Sequence, residues 1–457
     1  MRACTLALGM CIVTMSACGK GSSNSSCNTD DLGDGPSTRL LVTLQDGVST
    51  AALSASDTAQ TTDWVAADTV ALKFSDPAAA RAAEADLRLD PGVKYVEPDY
   101  AIHYTLTGTD PLMYKQWAHT VVQSTYAWAY TTGSPSLVVA VVDTGIDYTH
   151  ADLARNIWTN TKEIPGNGID DDHNGYVDDV HGWDFVHGTN TPMADDAPTY
   201  HGTHVAGTIA AVGGNGIGIK GHAPTVKLMP LKFMNSSGSG FTSDAVRAID
   251  YAIANGAWII SASWGSYSYS LTLDAAMKRA HDRGLLFVAA AGNDGRNIDQ
   301  FPFYPASYNY NNVVSVAAST STDTLATWSN YGKNNVDVAA PGQSIYSTKN
   351  GNTYQYLSGT SMATPLVSAV LALIWSRDPT AYASTVRQEL MATVTRNLYY
   401  SGRVASGGRV NAYSAVRGVT LTGAQTDLPP PDPSETAPAG LGEVPPDQGP
   451  VTSCKKG

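Results

Sequence analysis

Three short motifs bring an acid, an imidazole and a hydroxyl into one chain: VVDTGID at 141–147, HGTHVAG at 201–207 and GTSMATP at 359–365. A serine hydroxyl is a poor nucleophile at neutral pH. It needs a base beside it, and a carboxylate to hold that base in the right tautomer. Asp143, His201 and Ser361 offer those groups in that chain order, 58 and then 160 residues apart. The chemistry expected of such a set is acyl transfer. His201 takes the Ser361 proton during attack and returns it to the leaving group, while Asp143 orients the imidazole and stabilises its charged form.

Each motif alone has a plainer reading. Asp-Thr-Gly is also how an aspartic protease presents a carboxylate, but such a site needs two, and no second D-T-G or D-S-G occurs unless the chain dimerises through this one. His201 and His204 lie three apart, a spacing that suits zinc, yet no HExxH follows and no third ligand is evident. Ser361 by itself would pass for an ordinary helix N-cap. The three motifs together point to a serine nucleophile.

The elements that must position these residues follow from periodicity. VVAVV, KLMPLKF, AWIISAS, LLFVAA and VVSVAAS read as buried strands, almost wholly apolar as parallel strands covered on both faces must be. Between them SDAVRAIDYAIANG, with a Ser/Asp cap and an end at Gly256, and LTLDAAMKRAHDRG, ending at Gly284, read as helices. The pattern predicts an α/β fold with a doubly wound, mostly parallel sheet and helices on both faces. Sites in such sheets form at the C-terminal ends of strands, where Asp143 stands.

At this point the chain resembles the subtilisin-like serine proteases, most closely their thermitase-like branch. The likeness runs from about 110 to 417 and includes DPLMYKQW, TYAWAYTTGS, GWDFV, AAAGNDG, VDVAAPG, SIYST, YLSGTSMATP and GRVNAYSAV. The resemblance implies a subtilisin-like fold and serine endopeptidase activity. It makes Asn293 of AAAGNDG, otherwise a turn residue between two glycines, a donor to the tetrahedral oxyanion beside the backbone N–H of Ser361. It also implies that substrate is gripped as an added strand, with Ser239 and Gly240 of SGSG on one edge and Ser263, Trp264 and Gly265 of SWGS on the other. Gly265 and Ala291 would line the pocket for the side chain before the cut. Their small size implies room for a large apolar or aromatic group, and Asp294 near the pocket's end would tolerate a basic one. One departure stands behind the nucleophile: where the family continues GTSMATP with His-Val-Ala-Gly, this chain reads LVSA from Leu366.

Charge points to a metal. From 163 to 200 there are nine acidic residues and no Lys or Arg, an arrangement that repels itself unless solvated or bound to a cation. Asp170, Asp172, Asn174, Gly175 and the carbonyl of Tyr176 follow the first half of an EF-hand loop, while His181 stands where the closing Glu would be. Either this is a calcium loop closed by Asp178 or Asp179, or it is a solvated Asp-rich turn. A second site is implied by the resemblance: Asp152 and Asp110 match ligands of the family's tight calcium site, and Val212, Asn215, Ile217 and Ile219 match its loop. A third family site is damaged, because Asp184 remains but His187 and Thr189 occupy acidic positions. Carboxylate, amide and carbonyl oxygens suit Ca²⁺ over transition metals, so one or two structural Ca²⁺ ions are expected.

The rest of the chain frames this core. Residues 1–17 read as an export signal, with Arg2 before a short apolar stretch, and Met-Ser-Ala-Cys-Gly at 15–19 resembles a bacterial lipobox that would lipidate Cys18. Residues 18–38 form a Gly/Ser-rich tether. In 39–104, RLLVTL, VALKF and VKYVEPDY are strand-like and PAAARAAEADLRL is helix-like, and the last strand resembles the end of subtilase propeptides, which template folding and inhibit. The stretch 45–69 matches poorly, a small exported adaptor is the other reading, and cleavage is expected between 104 and 110. The catalytic domain takes 105–418, and 419–457 is a Pro-rich acidic tail expected to be disordered. All five cysteines lie outside 105–418, which excludes a thiol nucleophile there and leaves Cys27 and Cys454 as a candidate pair. A net charge of -13 disfavours nucleic acid as a partner, since phosphate binding needs clustered cations. The reading is therefore an exported, monomeric endopeptidase, held in the bacterial envelope or released, that acts on proteins or peptides and is inhibited by its own propeptide. An inactive surface scaffold and an esterase using the same groups are the alternatives.

Overall fold

A computed structural model of the chain describes residues 38–50, 53, 58–99, 110–194 and 200–418. The signal, the tether as far as residue 37, every cysteine, residues 104–109 of the expected cleavage segment and the Pro-rich tail lie outside the described residues. The chain divides into two compact units, Met1–Thr105 and Leu106–Gly457.

In the first unit β1 (Arg39–Leu44), β2 (Thr61–Trp64), β3 (Thr69–Lys73) and β4 (Val93–Pro98) form a sheet of order β2-β3-β1-β4, with α1 (Pro77–Leu87) before the last strand. Asp76 caps α1 by accepting from the Ala78 and Ala79 amides at 2.9 Å, and Pro77 supplies a first-turn residue that needs no donor. Leu40, Val42, Leu44, Val70, Leu72, Phe74, Ala80, Ala83 and Leu87 bury their side chains together.

The second unit contains α2 (Ala118–Val121), α3 (Ser124–Ala127), β5 (Val138–Asp143), β6 (Trp183–Asp184), α4 (His201–Ala210), β7 (Lys227–Lys232), α5 (Thr242–Ala254), β8 (Ile259–Ala262), α6 (Leu271–Asp282), β9 (Leu286–Ala290) and β10 (Val313–Ser319). After these come β11 (Val338–Pro341), β12 (Ile345–Lys349), β13 (Thr353–Leu357), α7 (Thr360–Arg377), α8 (Ala383–Ala392), β14 (Thr395–Arg396), β15 (Gly408–Arg409) and α9 (Ala412–Arg417). Nine strands form one sheet of order β14-β15-β11-β10-β9-β8-β5-β7-β6, in which only β14 and β15 pair antiparallel.

Period-two alternation splits β5 between two cores. Val139 and Val141 pack with α4 and α7, whereas Val138, Ala140 and Val142 pack with α5 and α6. That is why VVAVV has no polar face. Order reverses at β5, which has β7 on one side and β8 on the other, so the crevice at its C-terminal end is the switch point of the sheet. Gly256 and Gly284 adopt positive φ of 72° and 76° and stop α5 and α6. The Ser/Asp start expected for α5 differs in detail: Phe241 holds the cap position with no side-chain cap, and Asp244 falls in the first turn.

Candidate active site

Asp143 is the last residue of β5 and His201 the first of α4. The helix reaches the strand because residue 202 has no side chain: a β-carbon at Gly202 would lie 2.2 Å from the Gly145 carbonyl oxygen and 3.2 Å from the Asp143 carboxylate. Asp143 is fully buried, and its Oδ1 accepts from the Thr144 amide at 2.7 Å and bonds His201 Nδ1 at 2.7 Å. The imidazole stays 27 % exposed toward the cleft. Burial pulls the His201 pKa down, but the charge of Asp143 and the hydrogen bond to it outweigh that, and the pKa stands above its ordinary 6.5.

Ser361 lies in the first turn of α7. Pro365 sits four residues on and has no N–H, so the Ser361 carbonyl loses its helical partner. Ser263, just beyond β8, replaces it: its hydroxyl donates to the Ser361 carbonyl at 2.9 Å, and the Ser361 hydroxyl donates back to the Ser263 carbonyl at 3.2 Å. The nucleophile candidate is thus tied at two points to the end of β8. In this structure the Ser361 hydroxyl is spent on the Ser263 carbonyl rather than on an imidazole.

Asn293 is exposed beyond β9. Its Oδ1 accepts from the Thr360 amide at 2.8 Å and the Thr360 hydroxyl at 2.9 Å, which turns its Nδ2 the other way. A β-carbon at Gly359 would lie 3.5 Å from the Ser361 amide nitrogen and 3.6 Å from Asn293 Nδ2, so the two donors border one small space. Such a space can hold a developing oxyanion. Thr360, which sets the Asn293 amide, was not singled out from sequence, although it sits inside GTSMATP.

His204 does not share the cleft. It is fully buried, with Nε2 against the carbonyls of Ile345 and Gln355 at 3.0 and 3.2 Å, and burial lowers its pKa to about 3. The LVSA departure is a matter of packing. Leu366 and Val367 are fully buried in the core, and the Ser368 hydroxyl donates to that of Ser261 in β8 at 3.1 Å.

The residues expected to grip substrate fall in the segments that follow β7, β8 and β9. Ser239 and Gly240 are exposed past β7, where Gly240 bridges Met234. Trp264 is half-buried, with its indole 4.9 Å from the Phe233 ring and its N–H donating to the Val142 carbonyl at 2.9 Å. Gly265 is exposed and Ala291 fully buried. Between Gly265 and Gly292 lies the ring of Phe303, which would meet a β-carbon at either glycine, at 2.3 and 3.2 Å. Asp294 accepts from the Tyr267 hydroxyl at 2.7 Å.

Two oxygen-rich sites stand apart. Asp152 is fully buried and, among the described residues, bonded only by neutral donors: Asn215 Nδ2 at 2.7 Å, the Ile219 amide at 2.8 Å and the Tyr354 hydroxyl at 2.9 Å. Burial raises its pKa, and that of nearby Asp110, which accepts from the Gly214 amide at 2.9 Å. The carbonyls of Val212, Ile217 and Ile219 take no hydrogen bond among the described residues. Gly218 closes this loop over the carboxylate, since a β-carbon there would lie 2.1 Å from Asp152 Oδ2. A buried carboxylate, a second carboxylate and idle carbonyls fit a hard cation. Asn215 donates its Nδ2 to Asp152 at 2.7 Å and accepts from the Ile217 amide on its Oδ1 at 3.1 Å, so as placed it braces the carboxylate rather than offering an oxygen to the set.

In the Asp-rich loop, Asp170 and Asp172 gather with Glu163, their carboxylate oxygens all within 4.8 Å, in a cluster able to hold a metal ion. Glu163 heads the acidic run and is the carboxylate that sequence reasoning left out. Neither residue expected to close the loop turns to that cluster. Asp178 accepts from the amides of Gly166, Asn167 and Gly168 at 2.7 to 3.1 Å. Asp179 is fully buried, with both oxygens taken by Asn160, Asn174 and Tyr251. Asn174 is committed to Asp179 at 2.9 Å and to the Tyr176 amide at 2.8 Å, while the Tyr176 carbonyl accepts no hydrogen bond among the described residues. At the third place, His187 Nδ1 bonds Asp184 Oδ2 at 2.7 Å and fills the acidic position itself.

A doubly wound sheet that offers a carboxylate-held imidazole and a tethered serine hydroxyl at its switch point is the frame of a serine hydrolase. The chain belongs to the subtilase family, whose model matches residues 134–416. It is 38% identical over 333 residues to a thermophilic serine proteinase of Bacillus sp. (strain AK1), spanning 72% of this chain and 74% of that one. It is 37% identical over 303 residues to thermitase of Thermoactinomyces vulgaris, spanning 66% of this chain and 96% of that one. A solved protease structure from Pseudoalteromonas arctica PAMC 21717 aligns with a TM-score of 0.55 at 33% identity, covering 68% of this chain and 99% of that one. This chain is a serine endopeptidase of subtilisin-like fold, and its substrates are peptides.

Proposed function

We propose that Asp143, His201 and Ser361 carry out the hydrolysis, with Asn293 and the Ser361 amide holding the oxyanion. The observation that carries this reading is the 2.7 Å bond between Asp143 Oδ1 and His201 Nδ1 at the end of β5. It leaves Nε2 as the free imidazole nitrogen. Neutral His201 accepts the Ser361 proton as Oγ attacks the scissile carbonyl, and the carbonyl oxygen becomes anionic between the two N–H donors. Imidazolium, stabilised by Asp143, then protonates the leaving amine, and water repeats the sequence on the acyl-enzyme.

The finer parts of the reading rest on sequence. The chain is made for export, with Cys18 as its lipid attachment point in the bacterial envelope unless it is released. Residues 39–104 act as an inhibitory propeptide removed by self-cleavage between 104 and 110, and the mature enzyme is monomeric. Ca²⁺ is bound through Asp152, braced by Asn215, with Asp110 and the carbonyls of Val212, Ile217 and Ile219, and through Asp170, Asp172 and Glu163, where it neutralises buried or crowded carboxylates. Casein hydrolysis by purified wild type and Ser361→Ala tests the core of the proposal. Activity in the wild type alone is expected, whereas equal activity in both would refute it.

A further inference from the structure

Two glycine-bearing segments, Gly265 after β8 and Gly292 after β9, flank the place where the side chain before the scissile bond would enter. That place is occupied. A β-carbon at Gly265 would fall 2.3 Å from Phe303 Cε1 and 2.8 Å from Cζ, and one at Gly292 would fall 3.2 Å from the same Cε1. The ring edge therefore lies against the Gly265 wall, and near Gly292 it shares the space with Asn330 Nδ2, 2.4 Å from where a β-carbon would stand.

The ring is held there from several sides. Tyr267 meets it edge to face, centroids 4.9 Å apart, and the Phe303 amide donates to the Ser307 hydroxyl at 3.1 Å. The next residue, Tyr304, exchanges two backbone hydrogen bonds of 2.8 Å with Ser266, which locks the Phe303 segment onto the segment of Gly265. Tyr267 is itself fixed, since its hydroxyl donates to Asp294 at 2.7 Å and accepts from Asn330 Nδ2 at 3.2 Å. Arg296 lies 5.2 Å from the Tyr267 ring. Asp294 is thus already engaged by the Tyr267 hydroxyl and is not a free counter-ion for a basic substrate side chain.

We propose that Phe303 determines specificity by filling the floor of this pocket, so that the enzyme cleaves after small residues, Gly, Ala or Ser, and rejects aromatic and long side chains there. This rests on the proposed placement of the cleft beside Ser361 and narrows its substrate class. An interior packed to contact accepts extra methylenes only by displacing side chains, and Phe303 is pinned too firmly to yield cheaply.

The test uses mature enzyme and a series of tetrapeptide anilides differing only in the residue before the cut, with active sites counted by titration so that misfolded protein does not enter the rates. Wild type should prefer Ala to Phe by at least about 100-fold in kcat/KM. Phe303→Ala should raise kcat/KM for the Phe substrate by at least about 10-fold, chiefly through KM, and so shrink the preference for Ala over Phe. Phe303→Leu, which keeps most of the packing, should fall between and serves if the Ala variant does not fold. A wild type that cleaves these peptides but prefers Phe or Leu overturns the proposal and leaves the protease reading intact, as does a profile unmoved by both variants. A wild type that cleaves none of them refutes the protease reading itself.

Discussion

The reciprocal tie between Ser263 and Ser361 can be broken and rebuilt. Pro365 removes the helical donor to the Ser361 carbonyl, and the Ser263 hydroxyl at 2.9 Å stands in for it. In Ser263→Ala that carbonyl is left without a partner in the first turn of the helix that presents the nucleophile. An unpaired buried polar group costs about 1–3 kcal/mol. If the loss is felt equally in placing Ser361 for attack, kcat/KM should fall by roughly 5- to 150-fold. Pro365→Ala returns an N–H four residues on, in position to bond the same carbonyl. The double variant should therefore recover, with a coupling energy of at least about 0.5 kcal/mol in a cycle of kcat/KM and of thermal unfolding. Each protein would be assayed on one anilide substrate, with active sites titrated. If the two substitutions simply add, Pro365 is not the reason Ser263 matters.

Other consequences follow from the charges. The raised pKa of His201 means that the acid limb of kcat/KM should lie above pH 6.5, because protonated imidazole cannot act as a base. Asp143→Asn should move that limb downward and cut kcat by about 10⁴-fold, and an unmoved limb would assign it to another group. His119 and His222 are buried with rings 4.1 Å apart, among Ser124, Trp128 and Lys220, and burial takes His119 down to about 4 and His222 well below its ordinary value. The unfolded chain gains those protons near pH 6.5 and the folded one does not. Stability should thus drop as pH falls from about 6.5 to 4, by an order of 3 kcal/mol for His119. In a Ser361→Ala background, His119→Gln should flatten that decline in melting temperature, and an unchanged slope would count against it. Chelation should lower the melting temperature of inhibitor-blocked enzyme, since an ion at 100 times its Kd contributes about 2.7 kcal/mol. Asp152→Asn should shrink that effect, and a melting curve indifferent to excess EDTA would dismiss structural calcium.

What sequence could reveal depended on whether the signal was local. The central strands were legible because burial on both faces forces an unbroken apolar run, as in Val138–Asp143, and helix ends because Gly256 and Gly284 take positive φ. Thr61–Trp64 escaped notice because all four side chains are exposed and the strand carries no alternation. Phe303 escaped notice for a different reason. Small residues at 265 and 291 say that walls are thin, but the ring that meets Gly265 is brought there by a loop whose path no local pattern encodes. Likewise Asp179 looks like a ligand in one dimension, yet in three it anchors the loop to Tyr251 on α5, and Glu163 comes forward from the other side. The Leu366 departure needed only the buried position that α7 gives it.

The most direct test of the central claim is covalent. Mature wild-type enzyme treated with a sulfonyl fluoride should lose activity in proportion to the label gained, one label per molecule, and peptide mapping should place it on Ser361. His201→Ala should take up that label far more slowly. Full activity after labelling, or an adduct on a residue other than Ser361, would contradict the account.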